Sequence, residues 1–161
     1  MLEFTPPPPG ASKPDLYREL ASAADAITVG EDDGIANMAN VAALIWQFLP
    51  QLNWAGFYRL IDEELVLGPF IGKPACIRIP LGKGVCGTAA SSGETQLVED
   101  VSAFAGHITC DPASASELVV PVIRNGSVIA VIDLDSPKLA RFDEHDAAGV
   151  EALANRIASR I

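Results

Sequence analysis

Two strongly β-prone runs, Leu118–Ile123 and Val128–Leu134, meet across Arg124-Asn125-Gly126-Ser127. Asn-Gly accepts positive φ cheaply, so the four residues read as a tight hairpin joining two antiparallel strands. Further β-prone runs precede it. Trp54–Leu60 and Leu65–Phe70 are joined by Ile61-Asp62-Glu63-Glu64, and Cys76–Ile79 and Thr95–Glu99 read as shorter strands. A Gly-, Ala- and Ser-rich stretch from Gly82 to Gly93 reads as a turn leading into a short helix. Residues 100–116 form a long loop, a length that compact domains often reserve for function.

Helical periodicity is confined to the ends. Pro14 suits a first helical position, and Leu16, Leu20, Ala24 and Ile27 recur at helical spacing as far as Gly30. Asp32 or Asp33 can cap a second helix with Ile35, Met38, Ala42, Ile45 and Leu49 on one face, stopped by Pro50. Asp143 caps a last helix whose stripe is Val150, Leu153, Ala154, Ile157 and Ile161. Terminal helices around an antiparallel sheet define an α+β domain. The 161 residues suit one domain, here 13–161, and residues 1–12, with Pro6-Pro7-Pro8-Pro9-Gly10, read as a flexible proline-rich tail.

Composition excludes several partners. The net charge of −10 disfavours nucleic acid and anionic membranes, which call for a basic surface. No run approaches the ~20 apolar residues of a membrane helix. The start Met1-Leu2-Glu3-Phe4 lacks the features of an export signal, so a cytoplasmic location is expected. Three cysteines in such a chain fit reduced thiols better than a disulfide framework.

Those cysteines are the first candidates for chemistry. Their spacings match neither the short intervals of structural zinc sites nor a C-x-x-C redox pair. Cys76 opens an apparent strand. Cys86 stands near a helix start, where amide donors would lower its pKa. Cys110 lies in the long loop in His107-Ile108-Thr109-Cys110-Asp111, where a nearby histidine favours the thiolate. Each could instead be a small buried hydrophobe; the polar loop makes this least apt for Cys110.

Acids and aromatics complete the candidate set. Asp133 and Asp135 flank Leu134, so alternation puts both carboxylates on one face of the sheet. Pairing Arg124 with Ser127 sets Glu117 opposite about residue 134, close to both aspartates. Buried acids so placed must hold a proton, a cation or a metal. Trp54 and Tyr58 share one face of their strand and suit either a pocket wall or the core. His145 follows a helix start and reads as surface.

Together these segments resemble the free methionine-(R)-sulfoxide reductases, enzymes built on a GAF domain. The resemblance rests on Asn53-Trp54-Ala55-Gly56-Phe57-Tyr58, the stretch from Gly68-Pro69-Phe70 to Cys76-Ile77-Arg78-Ile79-Pro80, Gly84-Val85-Cys86-Gly87-Thr88-Ala89 and Val98-Glu99-Asp100-Val101. It continues in His107-Ile108-x-Cys110-Asp111, Ser116-Glu117 and Asp133-x-Asp135-Ser136-Pro137, and spans about residues 14–160. It implies a GAF-like fold and reduction of free methionine-(R)-sulfoxide, with Cys110 as the attacking thiolate. It further points to Cys76 as resolving cysteine, with Cys86, which resembles an auxiliary one, as the alternative, and implies thioredoxin as the external reductant. Glu117, Asp133, Asp135, Trp54 and Tyr58 are implied as substrate-binding residues. No bound cofactor or metal is implied, and a homodimer is.

Three other readings compete. A ligand-sensing GAF module would take an anionic nucleotide poorly beside three acids. A redox sensor would form a disulfide without turnover. A structural dimerisation domain would not need Cys110.

Overall fold

The computed structural model describes residues 3–161, which form four α-helices, a single 3-10 turn (Val101–Ala103) and six strands. The helices are α1 (Lys13–Thr28), α2 (Gly34–Phe48), α3 (Gly84–Ser92) and α4 (Glu144–Ile157). The strands are β1 (Trp54–Ile61), β2 (Glu64–Gly72), β3 (Arg78–Pro80), β4 (Gln96–Val98), β5 (Ser116–Arg124) and β6 (Ser127–Ser136). They make one antiparallel sheet in the order β3-β2-β1-β6-β5-β4, so the fold is α+β as expected. Among the described residues no helix is long and apolar enough to cross a membrane.

Strand alternation divides the molecule into two cores. On one face Ala55, Phe57, Leu118, Val120, Val122, Ile132 and Leu134 pack against α1, α2 and α4. On the other, Trp54, Tyr58, Val119 and Val131 pack with Val85, Cys86 and Ala89 of α3. The first core supplies most of the buried apolar area; the second carries the polar groups described below. Asp33 and Asp143 cap α2 and α4 as expected, and Ser12 caps α1. Ser12 accepts from the Asp15 amide, Asp33 from Ala36, and Asp143 from His145 and Asp146.

The structure differs from the expectation at several points. Ile35 is 45% exposed rather than part of the α2 stripe. It lies in the first turn, ahead of the buried Met38, Val41 and Ile45. Cys76 precedes β3 and lies in an irregular connection. Of the proline-rich tail, Met1 and Leu2 lie outside the described residues. Phe4 packs against the helical core, and its carbonyl accepts a hydrogen bond from Gln47 Nε2 at 2.7 Å.

Helix α1 lies on α4 at an unusually close approach. A Cβ on Gly149 would stand 2.1 Å from the Tyr17 ring, and the Tyr17 hydroxyl donates to buried Asp146 at 2.8 Å. Gly149→Ala therefore sets a helix-propensity gain of ~1 kcal/mol against an overpacking cost of ~1–3 kcal/mol or more. The ring is anchored at its hydroxyl, so the cost should win. A lowered urea midpoint checks this, with the disulfide site, on the far side of the sheet, unaffected.

Candidate active site

The site face owes its arrangement to two irregularities in the sheet. Between β5 and β6, Ile123 pairs with Val128 but Val122 pairs with Ala130, leaving Ile129 as an extra residue. The bulge shifts every later pair by one, so Glu117 stands opposite Asp135 and Val119 opposite Asp133. Without it Glu117 would face Leu134 and point into the helical core. The expected partner, residue 134, is thus off by one, and that step brings Glu117 to the aspartates' face. A second shift, between Gly56/Phe70 and Tyr58/Leu67, places Gly68 and Pro69 in a bulge of β2, a position that tolerates a proline.

Trp54, Tyr58 and Phe70 form an aromatic wall beside the acids. The Trp54 ring stacks on Phe70 at 5.2 Å between centroids and on Tyr58 at 5.9 Å. Both β1 aromatics also hold the connection that carries Cys76. Trp54 Nε1 donates to the Lys73 carbonyl at 3.2 Å, and the Tyr58 hydroxyl to the Cys76 carbonyl at 3.0 Å.

Cys76 and Cys110 are joined by a disulfide, with Cα atoms 5.7 Å apart. The 107–115 loop that delivers Cys110 is pinned at Asp111. This buried carboxylate accepts from the Ala113 amide at 2.9 Å, Asn53 Nδ2 at 3.2 Å and Lys73 Nζ at 3.4 Å. The Ala113 amide, helped by Asn53 and Lys73, holds Asp111 below the usual carboxylate range. Asn53 also donates to Ser114 Oγ at 3.0 Å.

Cys86 is unpaired and buried in the first turn of α3. A Cβ on the next residue, Gly87, would stand 2.4 Å from the Pro80 carbonyl, so only glycine lets α3 ride this close to β3. The expected lowering of the Cys86 pKa by helix amides is overturned. Burial pushes the thiol well up, and the Asp133 and Glu117 charges push it further.

The three acids converge as anticipated, and burial dominates their chemistry. Burial, then the charge of Glu117, raises Asp133 far above the carboxylate range. Asp135 rises for the same first reason and then through Asp133. Burial lifts Glu117 to about 7, moderated by His107. His107 Nε2 lies 3.5 Å from Glu117 Oε2. The histidine thus serves the acid cluster rather than the thiolate, while His145 is exposed.

Two small cavities adjoin these groups, of about 30 Å³ and 20 Å³. Both are lined by Tyr58, Cys110, Asp111, Asp133 and Asp135. The first reaches Cys86, His107 and Glu117, the second Trp54, Lys73 and Ala75. Seven of the eight candidate residues from the sequence line these cavities, and the eighth, Cys76, is tied to them by its disulfide with Cys110. Asn53, Lys73, Asp111 and Ser114, which brace the site, were not singled out.

A curled antiparallel sheet with such a site beneath a short helix defines a GAF domain. The GAF domain model matches residues 33–161, and the chain belongs to that family. Within it, the chain is 45% identical over 146 residues to the free methionine-R-sulfoxide reductase of Escherichia coli, covering 91% of this chain and 88% of that one. It is 43% identical over 154 residues to the Saccharomyces cerevisiae enzyme of the same name, covering 91% and 86%. The X-ray structure of the Neisseria meningitidis free methionine-R-sulfoxide reductase with its substrate superposes with a TM-score of 0.92 at 41% identity, covering 98% and 95%. The chain is a member of the free methionine-(R)-sulfoxide reductase family.

Proposed function

We propose that the protein reduces free L-methionine-(R)-S-oxide to L-methionine using its own thiols, and that thioredoxin in a cytoplasmic setting restores them. One observation carries the reading: a disulfide between Cys76 and Cys110 stands at the edge of cavities lined by buried acids. The Cys110 thiolate attacks the sulfoxide sulfur, and the oxygen ends on Cys110 as a sulfenic acid while methionine leaves. The Cys76 thiol then displaces that oxygen as water and forms the disulfide. Two thiols of an external reductant return both cysteines to the reduced state.

The acids suit complementary tasks. Asp133, whose proton burial and the charge of Glu117 make harder to remove, donates a hydrogen bond or proton to the sulfoxide oxygen. Asp135 and Glu117 can hold the substrate ammonium as they ionise. The aromatic wall takes the S-methyl end. With the disulfide closed, the cavities are far too small for an amino acid of this size, so reduction must open the site before the next turnover.

The testing experiment is a steady-state assay with excess dithiol on three substrates: the free R epimer, the free S epimer and the R sulfoxide within a peptide. Turnover should be confined largely to the first, because a site that grips both free termini excludes a peptide. Equal rates on all three would overturn the reading. A redox sensor without turnover would form the same disulfide, and it predicts no methionine beyond one per chain.

Cys76→Ser separates attack from resolution. It should release close to one methionine per chain in a burst and leave a trappable sulfenic acid on Cys110. Thioredoxin-coupled turnover should fall by about 10-fold or more, the scale expected when a disulfide intermediate is removed from the cycle. Unchanged coupled turnover would move the resolving role to Cys86.

A further inference from the structure

The cycle above consumes two of the three thiols and leaves the third, Cys86, unused beside two acids. Cys86 Sγ and carboxylate oxygens of Glu117 and Asp133 lie within 4.8 Å of one another, and all three residues are buried. Cys86 Sγ is 4.0 Å from Glu117 Oε1, while Glu117 Oε2 faces His107 Nε2 at 3.5 Å. Asp133 is 6% exposed, and its Oδ1 has no hydrogen-bond partner among the described residues. Cys86, Glu117, Asp133 and His107 also line the cavity of about 30 Å³, room for one small ion or water molecule.

From this juxtaposition we infer that Cys86, Glu117 and Asp133 form a site for a thiophilic divalent cation, Zn²⁺ above all, whose occupancy inhibits the enzyme. One sulfur and two oxygen donors, with a fourth position open to the cavity, match the ligand types and number of an open zinc site. Zinc bonds of ~2.3 Å to sulfur and ~2.1 Å to oxygen place donors roughly 3.5 Å apart, so the Cys86–Glu117 pair, 4.0 Å apart, needs only a small contraction. One thiolate and two carboxylates more than balance a 2+ ion, which takes the place of the protons that burial otherwise forces onto the cluster. Mg²⁺ and Ca²⁺, which want six or more oxygens, suit it poorly. His107, beside the second oxygen of Glu117, positions that ligand from the outer shell. The inhibition rests on the proposed reduction, because the metal occupies the acids assigned there to the substrate; the binding does not.

The test uses the full chain in its disulfide form, in which Cys86 is the remaining thiol. Co²⁺ titration should produce a near-ultraviolet thiolate-to-cobalt absorption saturating at about one ion per chain, and Zn²⁺ should displace the Co²⁺. Cys86→Ser should abolish the band. Asp133→Asn, checked for folding by circular dichroism, should weaken binding by about tenfold or more, and His107→Ala by ~10–100-fold. No thiolate band in folded wild-type protein, or weak Co²⁺ binding without sulfur absorption, means an adventitious ion only and overturns the site. A band unchanged in Cys86→Ser or Asp133→Asn does the same. In the reduced enzyme, Zn²⁺ inhibition should be relieved by raising the sulfoxide concentration. Metal bound without such competition overturns the inhibitory role, and absent turnover with metal still bound indicts the proposed function instead.

Discussion

Cys110→Ser should lose turnover of free methionine-(R)-sulfoxide by on the order of 10⁴-fold or more, the scale seen when a covalent nucleophile is removed. A serine hydroxyl cannot replace the thiolate, because it neither ionises near neutral pH nor accepts an oxygen atom as a sulfenic acid. Cys110 sits half-buried on a loop held by Asp111, Asn53 and Lys73, so the substitution leaves both cores intact. Stability must be compared under reductant. In the oxidised protein the 34-residue separation of Cys76 and Cys110 makes the lost cross-link worth about 3–4 kcal/mol by chain-entropy reasoning. Reduced wild type and variant should melt together, and only the wild type should gain stability on oxidation. Substantial turnover by Cys110→Ser would remove the nucleophile from the account.

Asp133→Asn should lower turnover by ~10²–10⁴-fold, the range for loss of a positioned general acid, yet raise the urea midpoint at pH 8. The two effects share one cause. The folded state holds protons on Asp133 and Glu117 at pH values where the unfolded chain has released them. A group bound more tightly to its proton when folded contributes most below its unfolded pKa, and that contribution drains away as pH rises. For Glu117 the window runs from about 4.5 to about 7, and Asp133, raised well above its ordinary value, acts in the same direction. Wild-type stability from this cluster should therefore decline between pH 5 and pH 8. The Asn variant, which never ionises at 133 and relieves Glu117 of a like charge, should decline less. A steeper decline in the variant would show that Asp133 is ionised in the native protein. With the amide, kcat should fall more than KM changes if the proton matters chiefly in the transition state.

Much of the fold is legible in the sequence through local patterns and family resemblance. The Asn125-Gly126 hairpin, the capped terminal helices and the same-face pairing of Asp133 with Asp135 follow from rules that act over a few residues. The Ile129 bulge does not. Its one local mark is Pro121, next to the shift, and strict register from the turn sets Glu117 against residue 134, whose pleat points into the helical core. The environment of Cys86 was misread because helix position suggested amide donors, whereas the acids that govern its thiol arrive from β5 and β6, 31 residues and more down the chain. The disulfide partner was equally beyond local reading. It depends on β2 lying beside β1 and β1 beside β6, and on Trp54 and Tyr58 holding residues 73–76 under the Cys110 loop. The chain places His107 near Cys110 and so suggests a role at the thiolate, whereas only the fold brings it to Glu117.

Reduction of a free sulfoxide with two of the chain's own three thiols can be followed in a single-turnover titration. Fully reduced protein, freed of external reductant, is mixed with one equivalent of free methionine-(R)-sulfoxide, and methionine, remaining thiols and disulfide-linked peptides are measured together. The expected result is about one methionine per chain, loss of two thiols out of three, a Cys76–Cys110 peptide and an intact Cys86. No methionine, or methionine released with all three thiols still free, would contradict it.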